Sequence, residues 1–281
     1  MIAESPAFRR GEYVNTIGEM AFEGCTDLQS IDISEGVTTT DDRASENDQT
    51  FEDDYNSDYE DDDDFDFDFS LWLQSIEISE SVKTIGNRAF YGCTSLKSIK
   101  IPKGITKIGW SAFADCTSLQ SVNIFEGVTS IDNATFEGCT SLINIIIPES
   151  VTTIEKSAFQ GCSGLTSIVI PKSVKTIGER AFQGCSGLAS IEILEGVTNI
   201  GDLAFASCTN LKSIIIPNSA TNIGYRPFSV CTNLKWVYIS MRTGWFDYTI
   251  TNIFGMNPNF RIIRTQKELD EFLNSAENPD E

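Results

Sequence analysis

Seven cysteines fall at positions 93, 116, 139, 162, 185, 208 and 231, each 23 residues after the last, and an eighth, Cys25, stands apart. Self-similarity at a fixed period of this size marks a stack of identical units rather than a compact layered domain. Aligned on the cysteine, the copies read "SVKTIGNRAFYGCTSLKSIKIPK", "GITKIGWSAFADCTSLQSVNIFE", "GVTSIDNATFEGCTSLINIIIPE", "SVTTIEKSAFQGCSGLTSIVIPK", "SVKTIGERAFQGCSGLASIEILE", "GVTNIGDLAFASCTNLKSIIIPN" and "SATNIGYRPFSVCTNLKWVYISM". One more, "EYVNTIGEMAFEGCTDLQSIDIS", opens the chain.

Each copy reads as one turn of a coil. In "LKSIKI" the residues Leu96, Ile99 and Ile101 point one way and Ser98 and Lys100 the other, the period-2 pattern of a half-buried strand. Pro102, Pro148, Pro171 and Pro217 close that strand where no further ladder donor is needed. A second, shorter extended piece carries Val82 and Ile85, and "RAF" predicts a tight bend, 3₁₀ or one-turn helical, with Phe90 facing inward. About seven inward apolar side chains, worth roughly 1.5 to 3 kcal/mol each, do not outweigh ordering a whole copy at about 1.5 kcal/mol per residue. A single copy therefore stays unfolded, and stacked copies fold because each buries the open face of its neighbour. The stack predicts a parallel sheet, a column of Phe (Phe90, Phe113, Phe136, Phe159, Phe182, Phe205, Phe228) and a column of Cys.

The pattern V-T-x-I-G-x-x-A-F-x-x-C-x-x-L-x-x-I-x-I-P, repeated over nearly all of residues 12 to 240, resembles the BspA-like class of leucine-rich repeats. The resemblance implies a right-handed leucine-rich-repeat superhelix, with a parallel β-sheet on the concave face and short extended or 3₁₀ turns on the convex side. It also implies a cell-surface or secreted protein whose role is adhesion or protein binding. The start, "MIAESPAFRRGEYVNTIG", lacks the apolar core of a secretory signal, and no run approaches the roughly 20 apolar residues of a membrane span.

Composition removes several kinds of chemistry. Stacked cysteines run parallel at a spacing of ~4.8 Å, outside the ~3.5 to 4.5 Å between Cβ atoms that a disulfide wants, so buried reduced thiols are expected. A zinc site needs four convergent ligands, and the chain has no His. Zero His also removes the commonest general base, and no phosphate-cradling glycine loop appears, so neither catalysis nor a cofactor is expected. The formal charge of −21 is concentrated: residues 41 to 68 hold 15 acids against Arg43, a local −14 that leaves −7 elsewhere. With no basic stripe to follow a phosphate backbone, nucleic acid is not an expected partner.

A solenoid presents its strand residues as one broad surface. The outward middle position of successive strands reads Asp32, Glu77, Lys100, Asn123, Ile146, Val169, Glu192, Ile215 and Tyr238, turning apolar from Ile146 onward. Ile146, Val169, Glu192, Ile215, Trp236 and Tyr238 are thus the candidate residues for a protein ligand. The competing reading is that isolated β-branched residues simply suit a sheet, or that the C-terminal segment folds over them.

The chain divides into an N-terminal repeat (1–40), an acidic degenerate repeat (41–72), the regular solenoid (73–240) and a C-terminal cap (241–281). Leu28 and Leu73 begin equivalent strands 45 residues apart, two periods less one, which reads the acidic segment as a degraded turn. Its acidic half, around Asp41 to Asp58, should loop out, and Asp64 to Leu73 should rejoin the stack. "DFDFD" puts Asp64, Asp66 and Asp68 on one face, a weak calcium candidate, and the alternative function is a structural or self-assembling scaffold responsive to that ion. At the other end "TQKELDEFL" predicts a short helix capped by Thr265, with Leu269, Phe272 and Leu273 on one face.

Overall fold

The structure, a computed structural model, describes residues 16–17, 20–21, 30–33, 75–239 and 261–273. Its strands come in two lengths that alternate along the chain, because each repeat carries one four-residue and one two-residue extended stretch. The longer strands stack in parallel: Ser30–Ile33, Ser75–Ile78, Ser98–Ile101, Ser121–Ile124 and Asn144–Ile146 form one ladder, and Ser167–Ile170 with Ser190–Ile193 a second. Ser213–Ile216, Trp236–Ile239 and Arg261–Ile263 form a third. Register is set by the repeat, with Ser98 opposite Ser121 and Ile101 opposite Ile124. The two-residue strands make a second row, in which Thr153–Ile154 lies between Ser130–Ile131 and Thr176–Ile177. The described residues form a parallel-strand solenoid.

The interior is a set of columns. Phe90 through Phe228 are buried and their rings stack face to face, with centroids 5.1 to 5.5 Å apart and planes within 12° of parallel. The described cysteines are free and buried, as the spacing argument expects. They are more than small hydrophobes: the Cys116 thiol donates to the Phe90 carbonyl at 3.1 Å, and the next five cysteines repeat this bond 26 residues back.

The bend differs from the sequence expectation. It is a chain of tight turns and neither a 3₁₀ nor an α-helical turn, because left-handed residues interrupt it, one of them two residues before each spine Phe. Arg88, Ser111, Ala134, Ser157, Arg180, Leu203 and Arg226 all lie at φ between 48 and 56°. That residue breaks any helical run and turns the next amides along the stack axis. Arg88, Phe90 and Gly92 then donate to the carbonyls of Trp110, Ala112 and Ala114 in the following turn, at 2.8 to 2.9 Å. The bend is thereby zipped to its neighbour as tightly as the strands are. Where a glutamate precedes the corner glycine it adds a clamp: the Glu126 carboxylate accepts from the Glu149 and Ser150 amides, and Glu195 does the same for Asn218 and Ser219.

Both ends depart from the regular step. Ser30 pairs with Ser75, 45 residues on, and Thr16 with Thr84, 68 residues on, one short of two and three periods. The expectations for the acidic repeat, including Asp64, Asp66 and Asp68, lie outside the described residues. At the C-terminus Arg261–Ile263 adds in parallel to Trp236–Ile239, and helix α1 (Gln266–Leu273) follows it. Thr265 caps that helix as expected. Its hydroxyl accepts from the Glu268 amide at 3.1 Å while the Glu268 carboxylate accepts from the Arg264 and Thr265 amides.

Candidate functional site: the outer strand face

Alternation along each long strand puts one hydrophobic set in the core and the other set of side chains on the outer face. Strands Ser98–Ile101, Ser121–Ile124, Ser167–Ile170 and Ser190–Ile193 alternate exposed and buried without exception. Four candidates stand on this face as read from sequence. Ile146 is 75% exposed, Val169 50% and Ile215 42%, and Glu192 is exposed between the last two. Three β-branched side chains of one column are thus open to solvent.

Trp236 and Tyr238 do not belong to it. They were expected to face solvent, yet they are only 4% and 7% exposed, in a small cluster with Ile263 and Leu269. The physical reason is coverage. Arg261–Ile263 pairs beside their strand, and α1 lays Leu269 over the outer side, so the most apolar end of the column becomes the core of the cap. The free face ends at Ile215.

Two features of the face escape the period-2 reading. Ile143 is 50% exposed at the corner just before its strand, a position held by Lys97, Gln120 and Thr166 in neighbouring turns. Further toward the N-terminus an open groove of about 910 Å³ crosses three strands, with Ser98, Lys100, Lys103, Ser121, Phe125 and Ile146 among its walls. The Lys100 and Lys103 ammoniums both lie 5.8 Å from the centre of the Phe125 ring. Phe125 occupies the slot that proline fills in the turns before and after it, and that departure from the repeat was the available signal.

On the bend side, burial together with the Asp115 charge raises the Glu137 carboxyl, and a hydrogen bond to Asp115 raises the Tyr91 hydroxyl. Burial pushes the thiol of Cys162 up to about 12, which leaves it protonated and unreactive at neutral pH. Among the described residues no group of three or more His, Cys, Asp or Glu is placed to hold a metal ion. Nor is any helix among the described residues long and apolar enough to cross a membrane.

Residues 7–55, 63–189 and 152–276 match the BspA type leucine rich repeat region, in six copies. Among solved structures, the chain is similar to the leucine rich repeat protein of T. pallidum at 36% identity, over 54% of this chain and 72% of that one, with a TM-score of 0.52. It is also similar to a leucine-rich repeat protein from Bacteroides capillosus (39% identity, 31% of this chain and 62% of that one, TM-score 0.30). A leucine rich cell surface protein from Faecalibacterium prausnitzii is 24% identical over 71% of this chain and 81% of its own, with a TM-score of 0.36. No curated protein matches. The 23-residue period, the in-register strand rows and the extent of the repeat match place this chain in the BspA-type leucine-rich-repeat family.

Proposed function

We propose that the protein is a non-enzymatic binding module that holds a protein ligand on its outer strand face, in the manner of an adhesin at the cell surface or in secreted form. The observation that carries this reading is the exposed column Ile146, Val169 and Ile215, with Glu192 set among them in register with Val169. A pre-formed apolar column loses little conformational entropy on binding, which favours recognition of another folded surface. The alternative, a structural or self-assembling scaffold, uses the same column against a second copy.

The test is the double variant Ile146→Asp/Ile215→Asp. Both side chains point to solvent, so the fold should persist by circular dichroism and thermal unfolding. Proteins captured from the native host by the wild type should be lost with the variant in quantitative pull-downs. Equal capture by both would overturn the binding reading, and an unfolded variant would overturn the facing assignment. Sedimentation of the purified wild type separates a heterologous ligand from self-association, which would show as a concentration-dependent dimer that the variant abolishes.

A further inference from the structure

We propose that the groove around Lys100, Lys103 and Phe125 recognises an extended acidic segment of the protein partner, with its carboxylates at the two ammoniums and its apolar side chains on Phe125 and Ile146. The inference deepens the binding reading of this face, and rests on it for taking the ligand to be a polypeptide.

Charge is the first argument. Two lysines converge here on one aromatic ring. Among the described residues the ion pairs are Lys156 with Glu179, Arg180 with Glu179 and Lys267 with Glu271, and neither Lys100, which is paired in strand register with Glu77, nor Lys103 is among them. Held over Phe125, the ammoniums are positioned without being consumed by a partner. The paired ammoniums attract the carboxylates of an acidic ligand, which biases where on the face it docks.

Shape is the second. The groove spans strands Ser98–Ile101, Ser121–Ile124 and Asn144–Ile146, a width of about 10 Å at the usual strand spacing, enough for an extended peptide. All three strands are already paired in one ladder, and Ser121–Ile124 is paired on both sides, so a ligand crossing them cannot add as another strand. Recognition falls to side chains: the lysines, the Ser98 and Ser121 hydroxyls, and the apolar surfaces of Phe125 and Ile146. Glu80 on the rim sets direction, because it repels carboxylates at that end.

A fluorescent Asp-Asp-Phe repeat peptide, with its Asn-Asn-Phe analogue as control, tests this by anisotropy. The wild type should bind the acidic peptide in about 50 mM salt and lose affinity several-fold by about 300 mM. Lys100→Ala/Lys103→Ala, at exposed positions that leave the fold intact, should bind roughly tenfold more weakly. Lys212→Ala, an exposed lysine outside the groove, should bind the peptide as the wild type does, and the assay uses no host protein, so its outcome is independent of the pull-down that tests the wider face. Absence of wild-type binding, equal binding of the Asn peptide, or equal binding by the lysine variant each overturns the proposal. So does a lysine-dependent response to heparin alone, which assigns the groove to an anionic polysaccharide. Self-association lost in the lysine variant, with no peptide binding, overturns it too, in favour of a second copy as occupant.

Discussion

At the residue scale, stability rests on columns in which every member has the same neighbours. Phe159 is fully buried between Phe136 and Phe182, with ring centroids 5.5 and 5.1 Å away. Phe159→Ala should therefore cost about 3 to 5 kcal/mol in urea unfolding, and a change within about 0.5 kcal/mol would contradict the spine. The slot before each cysteine is also left-handed. Gly92, Gly138, Gly161 and Gly184 sit there at φ of 69 to 75°, and Val230 holds the same slot at φ 60°. A β-branched side chain in that region carries strain of about 1 to 2 kcal/mol, more than glycine adds in chain entropy. Val230 is 62% exposed and has little packing to lose. Val230→Gly should accordingly raise the unfolding midpoint, and a drop in stability would show that Val230 makes contacts that outweigh its strain.

At the element scale, the decisive unit is the C-terminal strand and helix. Helix α1 is eight residues long, too short to persist alone, so its cap and the docking of Leu269 decide whether it covers Trp236 and Tyr238. Thr265→Ala removes the acceptor for the Glu268 amide and should cost about 1 kcal/mol, read as a roughly fivefold loss of protection at the Leu269 amide. The Glu268 carboxyl is held below its ordinary value, first by the Arg264 amide and then by Thr265. Its contribution is therefore present above the ordinary carboxylate range and lost as pH falls through the lowered value. The Leu269 protection factor should fall on acidification in the wild type and stay flatter in Glu268→Gln. Thr265 and the helix were legible in "TQKELDEFL", because a capping box is a local signal. What α1 covers was not, because its partners lie about 30 residues earlier, outside any repeat spacing.

At the scale of the whole molecule, the cysteine column makes the solenoid sensitive to alkali. Burial raises the thiols of Cys116, Cys139, Cys185 and Cys208 well above their usual value, and those of Cys162 and Cys231 to about 12. A group that stays protonated in the folded state and ionises in the unfolded one favours unfolding once pH exceeds the unfolded value. Stability from this source is complete below about pH 8.5 and declines toward pH 12, by up to about 1.4 kcal/mol per pH unit for each thiol. Urea midpoints recorded between about pH 8 and pH 11 should fall steeply. Replacing Cys139, Cys162 and Cys185 with alanine should lower stability at neutral pH and flatten the alkaline slope. An equally steep slope in that variant would remove the thiols as its cause.

The solenoid, the inward and outward sets of each strand, the Phe and Cys columns and the exposure of Ile146, Val169, Glu192 and Ile215 were legible in the chain. These follow from periods of 2 and 23 residues, and a repeated turn can only be satisfied by another turn like itself. The assembled stack decided the left-handed bends, whose amides need the next turn's carbonyls to be in place before the conformation is favourable. It also decided the burial of Trp236 and Tyr238 and the meeting of Lys100, Lys103 and Phe125 at one groove. Those outcomes depend on which surfaces of different turns lie side by side and on what a non-repeating segment covers. Distance in space sets both, and no period in the chain encodes it.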